Sequence, residues 1–112
     1  MKISEPIKNL KNPVLGVIYG NRDFFPDKLV AEARADLVKL FAELGVDAVM
    51  LDPAENKLGG VETHGDARKC AELFRKHAGE IDGVLVVLPN FGDEKGVADT
   101  LKMSKLNVPV LI

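Results

Sequence analysis

The sequence is poor in residues on which several classes of protein depend. It has one cysteine, one tyrosine and no tryptophan, and aromatic residues make up 5% of the chain. A single cysteine excludes an internal disulfide and is typical of a reducing compartment, so we expect a cytoplasmic protein. The shortage of aromatic side chains argues against the base-stacking platforms of single-strand-binding proteins.

An excess of charge of one sign and long apolar runs are also missing. Fifteen basic residues against 17 acidic ones give a net charge of -2, which leaves no positive field to attract a nucleic acid backbone. No window approaches the roughly 20 apolar residues of a membrane-spanning helix, and the first segment lacks the apolar region of a signal peptide. We therefore expect neither nucleic acid nor a membrane as a partner.

The chain has instead the length and composition of one globular domain. Its 112 residues are 46% hydrophobic, which suits a single packed core over residues 1–112. Apolar runs without alternation at residues 14–19 and 81–88 predict strands buried on both faces of a parallel sheet. Similar runs at residues 46–51 and 108–112 predict the second and fourth strands.

Helices are predicted between these strands. A first helix starts near Pro26 and ends at Gly45, a second runs from about residue 65 or 66 to residue 78, and a third is capped by residue 92 or 93. The apolar residues of the first helix recur at three- and four-residue intervals: Leu29, Val30, Ala33, Leu37, Leu40, Phe41 and Leu44. Those of the second are Ala67, Cys70, Ala71 and Phe74.

This alternation predicts the fold class. Because crossovers between parallel strands are right-handed, we expect an α/β fold, a flavodoxin-like three-layer open parallel sheet whose (βα)3β portion has strand order 2-1-3-4. The first helix would then lie alone on one face of the sheet, and the other two helices would share the opposite face.

One sheet face is therefore predicted to be incompletely covered, and the sequence ends inside the fourth predicted strand. Leaving about 300 Å² of apolar sheet exposed costs about 7 kcal/mol at roughly 25 cal/mol per Å². We expect a truncated domain that, in isolation, dimerises or exchanges elements through the uncovered face and the edge of the fourth strand.

Polar and aromatic side chains follow the first and third predicted strands, between which the strand order reverses and where such sheets bind ligands. Asn21, Arg22 and Asp23 follow the first strand, and Asn90 and Phe91 follow the third. Arg22 offers a forked donor, Asn90 a donor and an acceptor for a polyol, and Phe91 an apolar surface for a sugar ring. The alternatives are an arginine that pairs with Asp23 in water and a turn with a half-buried aromatic ring.

Other sites are less well supported. Gly59 and Gly60 lack the spacing of a phosphate-binding loop, so we expect a flexible turn, from which Glu62 or Thr63 could reach the cleft. Cys70 is expected in the core and not as a nucleophile. The two histidines lack a carboxylate at metal-ligand spacing, and the loops lack the acidic set of a receiver domain and the hydroxyl-rich first loop of an FMN site. No metal or other cofactor site is predicted in this chain.

Four stretches carry a family resemblance: residues 13–26, 57–63, 66–70 and 88–94. In order and spacing they resemble the amino-terminal domain of L-fucose/L-arabinose isomerase-like proteins. The resemblance covers nearly the whole chain and implies a longer parent enzyme, an intramolecular oxidoreductase that interconverts aldoses and ketoses with Mn²⁺. It places the metal ligands and the acid-base carboxylates in further domains.

For this chain the resemblance implies an assembly surface for neighbouring subunits and for the remaining domains of the parent enzyme. Arg22, Asn90 and Phe91 match positions that orient a small-molecule sugar across a subunit interface, and no catalytic residue is implied. The isolated chain is expected to be inactive. The alternative is an excised or engineered flavodoxin-like module with no ligand or activity of its own.

Overall fold

The computed structural model describes residues 12–20, 28–54, 59–88 and 94–112. The strands are β1 (Val14–Gly20), β2 (Asp47–Val49), β3 (Gly60–Val61), β4 (Gly83–Val87) and β5 (Val110–Leu111). The helices are α1 (Lys28–Leu44), α2 (His64–Lys76) and α3 (Glu94–Ser104). None of the helices in the described residues is long and apolar enough to cross a bilayer.

The sheet is parallel, with the order β2-β1-β4-β5 and with β3 paired to β1 off this path. The predicted third and fourth strands correspond to β4 and β5. The predicted strand order and the flavodoxin-like α/β fold are therefore confirmed.

β1 is paired on one side by two short strands in succession. Its first half partners β2, from Val14 opposite Asp47 onwards. Its last two residues partner β3, a strand that is not predicted from the sequence. The flexible turn expected at Gly59 and Gly60 differs from the structure, because Gly60 lies in β3. Gly59 has a φ of 68°, a left-handed conformation that glycine adopts without steric cost.

Two apolar clusters pack on the two faces of the sheet. α2 and α3 cover one face, where Phe74 and Val97 pack with Ile18 of β1 and with β4. On the other face, α1 packs Val30 and Phe41 on β1. The four residues that the spacing predicts for the buried row of α2 are all buried. The prediction that α1 lies alone on its side holds for the described residues.

The buried row of α1 is narrower than its sequence predicts. Val30 and Phe41 are buried, but Leu40 is 44% exposed and Leu44 is 65% exposed. The reason is that one row of the helix contacts the sheet, and in the described part of the chain no second helix lies beside α1 on that face to cover its flank. Apolar spacing alone does not show whether the flank of a helix is covered by a neighbouring helix or left exposed.

Candidate functional site

The carboxyl ends of β1 and β4 lie side by side where the strand order reverses. Tyr19 pairs with Val87 in the parallel ladder. Because neighbouring strands are about 4.8 Å apart, the chain leaves the sheet after Gly20 and after Leu88 at adjacent points. β2 lies on one side of β1 and β4 on the other, which is the arrangement at which open α/β sheets bind ligands. The two predicted loops therefore start from one edge.

The five predicted site residues belong to these loops. Asn21, Arg22, Asp23, Asn90 and Phe91 all lie outside the described residues. The described strands establish where the loops begin, and the contact of these five side chains with a ligand stays a prediction.

A half-buried arginine lies near the end of β1. Arg34 of α1 places its guanidinium over the ring of Tyr19, with Cζ 5.6 Å from the ring centroid. Its Nη1 atom is buried and has no hydrogen-bond partner among the described residues. It lies close to the backbone of Gly59, where a Cβ atom would be 2.5 Å from Nη1. The spacing of α1 predicts no special role for Arg34, because its neighbours Tyr19 and Gly59 are distant in sequence.

Tyr19 is fully buried beneath this guanidinium. Its hydroxyl donates a hydrogen bond to Sδ of Met50 at 3.4 Å. Burial raises the pKa of the Tyr19 phenol above its usual value, and the positive charge of Arg34 offsets part of that rise. Tyr19 therefore stays protonated at neutral pH and joins β1 to the segment after β2.

A capping box starts α2 at the same edge of the sheet. The Thr63 hydroxyl accepts a hydrogen bond from the Asp66 backbone N–H at 3.1 Å, and the Asp66 carboxylate accepts from the backbone N–H groups of Thr63 and Glu62 at 3.0 and 3.1 Å. These bonds satisfy donors that a helix start leaves open. α2 accordingly begins at His64, one or two residues earlier than predicted, and Thr63 serves as its cap instead of reaching into the cleft.

His64 joins the first turn of α2 to α3. Its Nδ1 atom lies 3.2 Å from Oδ2 of Asp99, and the His64 side chain is 65% exposed. His77 makes a similar contact with Glu80 at the other end of α2. The sequence indicates surface or hinge histidines and not metal ligands, and the exposures of His64 (65%) and His77 (39%) agree with surface positions. It does not reveal the His64–Asp99 contact, because the two residues are 35 positions apart.

Cys70 is buried in the core beneath α2, as predicted. Burial raises the pKa of its thiol to about 12, so the thiol stays protonated at neutral pH and is a poor nucleophile. Among residues 12–20, 28–54, 59–88 and 94–112, no three His, Cys, Asp or Glu side chains come close enough to hold a metal ion.

Two concavities lie away from the β1–β4 edge. A cleft of about 380 Å³ lies between α2 and the segment after β2 and is lined by Met50, Leu51, Asp52, Lys69, Glu72, Leu73 and Lys76. An apolar groove of about 460 Å³ lies toward the amino ends of the strands and is lined by Leu15, Asp82, Gly83, Val84, Leu85, Pro109, Val110 and Leu111. Neither includes the strand ends from which the predicted loops start.

Comparison with protein families gives a match to the model described as the fucose/sulfoquinovose isomerase, N-terminal domain, over residues 16–112. The match extends from β1 through β5 and includes both predicted loops. Comparisons with curated proteins and with solved structures return no significant match.

Proposed function

The chain belongs to the fucose/sulfoquinovose isomerase family, as its N-terminal domain, and we propose that it orients the sugar and supplies an assembly surface in an aldose–ketose isomerase. The metal ion, which we expect to be Mn²⁺, and the acid-base groups are then contributed by other domains. Isomerisation through an enediol requires a base and an electrophile, and the proposal assigns neither to this chain. The isolated chain is expected to be inactive.

The pairing of Tyr19 with Val87 carries this proposal. It brings the starts of the two loops to one edge, so that Arg22 from one loop and Asn90 from the other can act on the same ligand. An arginine fork can donate to sugar hydroxyl groups or to an anionic substituent, and an asparagine amide both donates and accepts. Phe91 adds an apolar surface for a ring face.

A titration of the ¹⁵N-labelled chain with L-fucose and with sulfoquinovose tests sugar binding. We expect amide shift changes at Gly20 and Leu88, at the site edge, and none at Asp82 and Gly83, at the opposite end of β4. Arg22→Ala should abolish the changes, whereas Arg68→Ala, at an exposed position on α2, should preserve them. Changes that survive Arg22→Ala would contradict the assigned role. The absence of any change would support the inert-module alternative.

The assembled isomerase that carries this domain provides the second test. Losing a charged hydrogen bond to substrate costs about 1.5–3 kcal/mol, so Arg22→Ala should lower kcat/KM by about 10- to 100-fold. Asn90→Ala should have a smaller effect of the same sign, because its donor is neutral. Unchanged kinetics in both variants would remove these residues from the sugar site, and Arg68→Ala again serves as the control.

A further inference from the structure

The two histidines of the chain make the same kind of contact at opposite ends of α2. Nδ1 of His64 lies 3.2 Å from Oδ2 of Asp99, and Nδ1 of His77 lies 3.2 Å from Oε2 of Glu80. The His77 contact is local, because Glu80 is three positions away. The His64 contact joins two helices across 35 positions, so it depends on how α2 packs against α3.

The His64–Asp99 pair lies at the end of the sheet from which the predicted loops start. Val61 of β3 pairs with Gly20, the last residue of β1. His64 follows Val61 by three positions, a span of at most about 11 Å. Asp99 lies in the second turn of α3, the helix that follows the loop after β4. The imidazole is therefore close to the edge at which a ligand of these loops would bind.

Both members of the pair are carried by anchored helices. The capping box of Thr63 and Asp66 fixes the backbone directly before and after His64. Asp99 is 25% exposed, and Thr100 beside it is fully buried. The His64 side chain is 65% exposed, so the imidazole is oriented by Asp99 and remains accessible to a ligand.

The contact determines which imidazole nitrogen can take up a proton. An ionised carboxylate only accepts hydrogen bonds, so a neutral His64 donates its Nδ1 proton to Asp99 and leaves Nε2 as an acceptor. A carboxylate on Nδ1 also stabilises the imidazolium that forms when Nε2 takes a proton. The pair thus has the composition of a general acid–base group whose reacting atom is Nε2.

We propose that His64, positioned by Asp99, opens the pyranose ring of the aldose before isomerisation. An aldose in water is mainly a cyclic hemiacetal, whereas an enediol forms only from the open-chain aldehyde, so the ring has to open first. This proposal rests on the sugar site proposed above, because the aldose has to be bound at this edge. Isomerisation itself still requires the other domains.

The ring-opening step needs one base and no further reactant. Nε2 takes the proton of the C1 hydroxyl, and the electron pair of that O–H bond forms the second bond between C1 and O1. The bond from C1 to the ring oxygen O5 breaks, its electron pair goes to O5, and O5 takes the proton from the imidazolium. O1 and O5 are bonded to the same carbon, so one nitrogen can reach both. The sum is a proton moved from O1 to O5, without a change in oxidation state.

Mutarotation measures ring opening separately from isomerisation, because the two anomers interconvert only through the open chain. Crystalline α-L-fucose is dissolved with the isolated chain, and polarimetry follows the approach to the equilibrium rotation. We expect the chain to accelerate this approach over buffer alone without producing ketose. His64→Gln should lower the catalysed rate by about 100-fold, the loss expected for a general acid–base group.

His77→Gln is the matched control. It removes an imidazole with the same carboxylate contact from the other end of α2, about 20 Å from His64 along the helix. This variant should keep the full catalysed rate. The comparison separates a histidine at the sugar site from unspecific catalysis by any imidazole on the surface.

Asp99→Asn tests the positioning role of the carboxylate. A neutral amide does not stabilise the imidazolium, so the catalysed rate should fall by at least about tenfold. The affinity for L-fucose, measured by the amide-shift titration described above, should stay unchanged. A purely structural contact between the helices would instead lower the stability in urea and leave the rate at saturating L-fucose unchanged.

The outcomes distinguish ring opening from sugar binding. Binding of L-fucose without faster mutarotation would overturn the ring-opening role and leave the sugar site in place. The absence of both would remove the sugar site, and ring opening with it. Equal rates in His64→Gln and His77→Gln would mean that the acceleration is unspecific. A full rate in Asp99→Asn would remove the positioning role of Asp99.

Discussion

The guanidinium of Arg34 lies over the ring of Tyr19, with its Cζ atom 5.6 Å from the ring centroid. This contact joins α1 to the end of β1, next to the edge from which the predicted sugar-binding loops start. A cation over a desolvated ring contributes about 1–2 kcal/mol. Within the part of the chain that the structure describes, the buried Nη1 atom has no hydrogen-bond partner, which costs about as much. The net effect of Arg34 on stability is therefore expected to be small, and its electrostatic effect on Tyr19 is easier to measure.

Arg34→Met should raise the pKa of Tyr19 further. Burial already raises this pKa, and Arg34 lowers it by favouring the phenolate, so removing the positive charge leaves the effect of burial alone. Tyr19 is the single tyrosine in a chain without tryptophan, so a phenolate absorbance titration reports this residue directly. Arg68→Met, on the exposed face of α2, should leave the pKa unchanged. A lower pKa in Arg34→Met would contradict the contact.

Gly16→Ala should destabilise the fold by about 1–3 kcal/mol, the usual cost of overpacking a core. A Cβ atom at this position would lie 3.0–3.2 Å from three ring atoms of Phe74, and Phe74 is fully buried. Gly79→Ala is the matched control, because no atom of the described residues lies within 4 Å of a Cβ atom there. Urea denaturation measures both variants, and equal unfolding free energies would show that the Phe74 ring is not held against β1.

Cys70 should make the protein less stable at high pH. The folded thiol has a pKa of about 12, against an ordinary value of 9.0 for a thiol in water. Between these values the unfolded chain loses the proton and the folded chain keeps it. The free energy of unfolding therefore falls by about 1.4 kcal/mol per pH unit as the pH rises above 9. Cys70→Ala should show a shallower decline over this range. Parallel declines in the two proteins would mean that the thiol is not desolvated.

Thr63→Ala should lower the free energy of unfolding by about 0.5–2 kcal/mol, the range for loss of an N-cap side chain. The substitution removes the acceptor for the Asp66 backbone N–H. Thr63→Ser keeps the hydroxyl and should retain most of the stability. A loss of the same size in both variants would indicate that the methyl group, and not the hydrogen bond, is responsible.

The strand order was predictable from the sequence because β1 and β4 are continuous apolar runs and because right-handed crossovers allow few arrangements. The existence of β3 was not predictable, because Gly60 and Val61 do not belong to an apolar run. Their strand character comes from pairing with Tyr19 and Gly20, which are some 40 positions earlier. The residues next to Gly60 and Val61 do not indicate this pairing, because strand formation depends on contacts with neighbouring strands.

The edge at which the two predicted loops start could be predicted from the sequence, but the side chains packed around that edge could not. The loops after β1 and β4 could be selected because sheet topology alone brings strand ends together. Arg34 and the His64–Asp99 contact depend on how helices pack around the sheet, and nothing in the spacing of α1 or α2 indicates it. The exposure of Leu40 and Leu44 could not be predicted either, because the sequence of a helix shows an apolar row but not which element covers it.

β1 is held on its outer side by two separate strands, β2 near its start and β3 near its end. An insertion or deletion between the end of β2 and the start of β3 would therefore leave the pairing of Val14 with Asp47 unchanged. Only the pairing of β3 with the last two residues of β1 would have to adjust. The fold thus separates a part of the sheet that must keep its alignment from a part whose length can vary, and the strand ends beside the predicted loops belong to the second. Related sequences are expected to differ in length here more than anywhere else along the sheet.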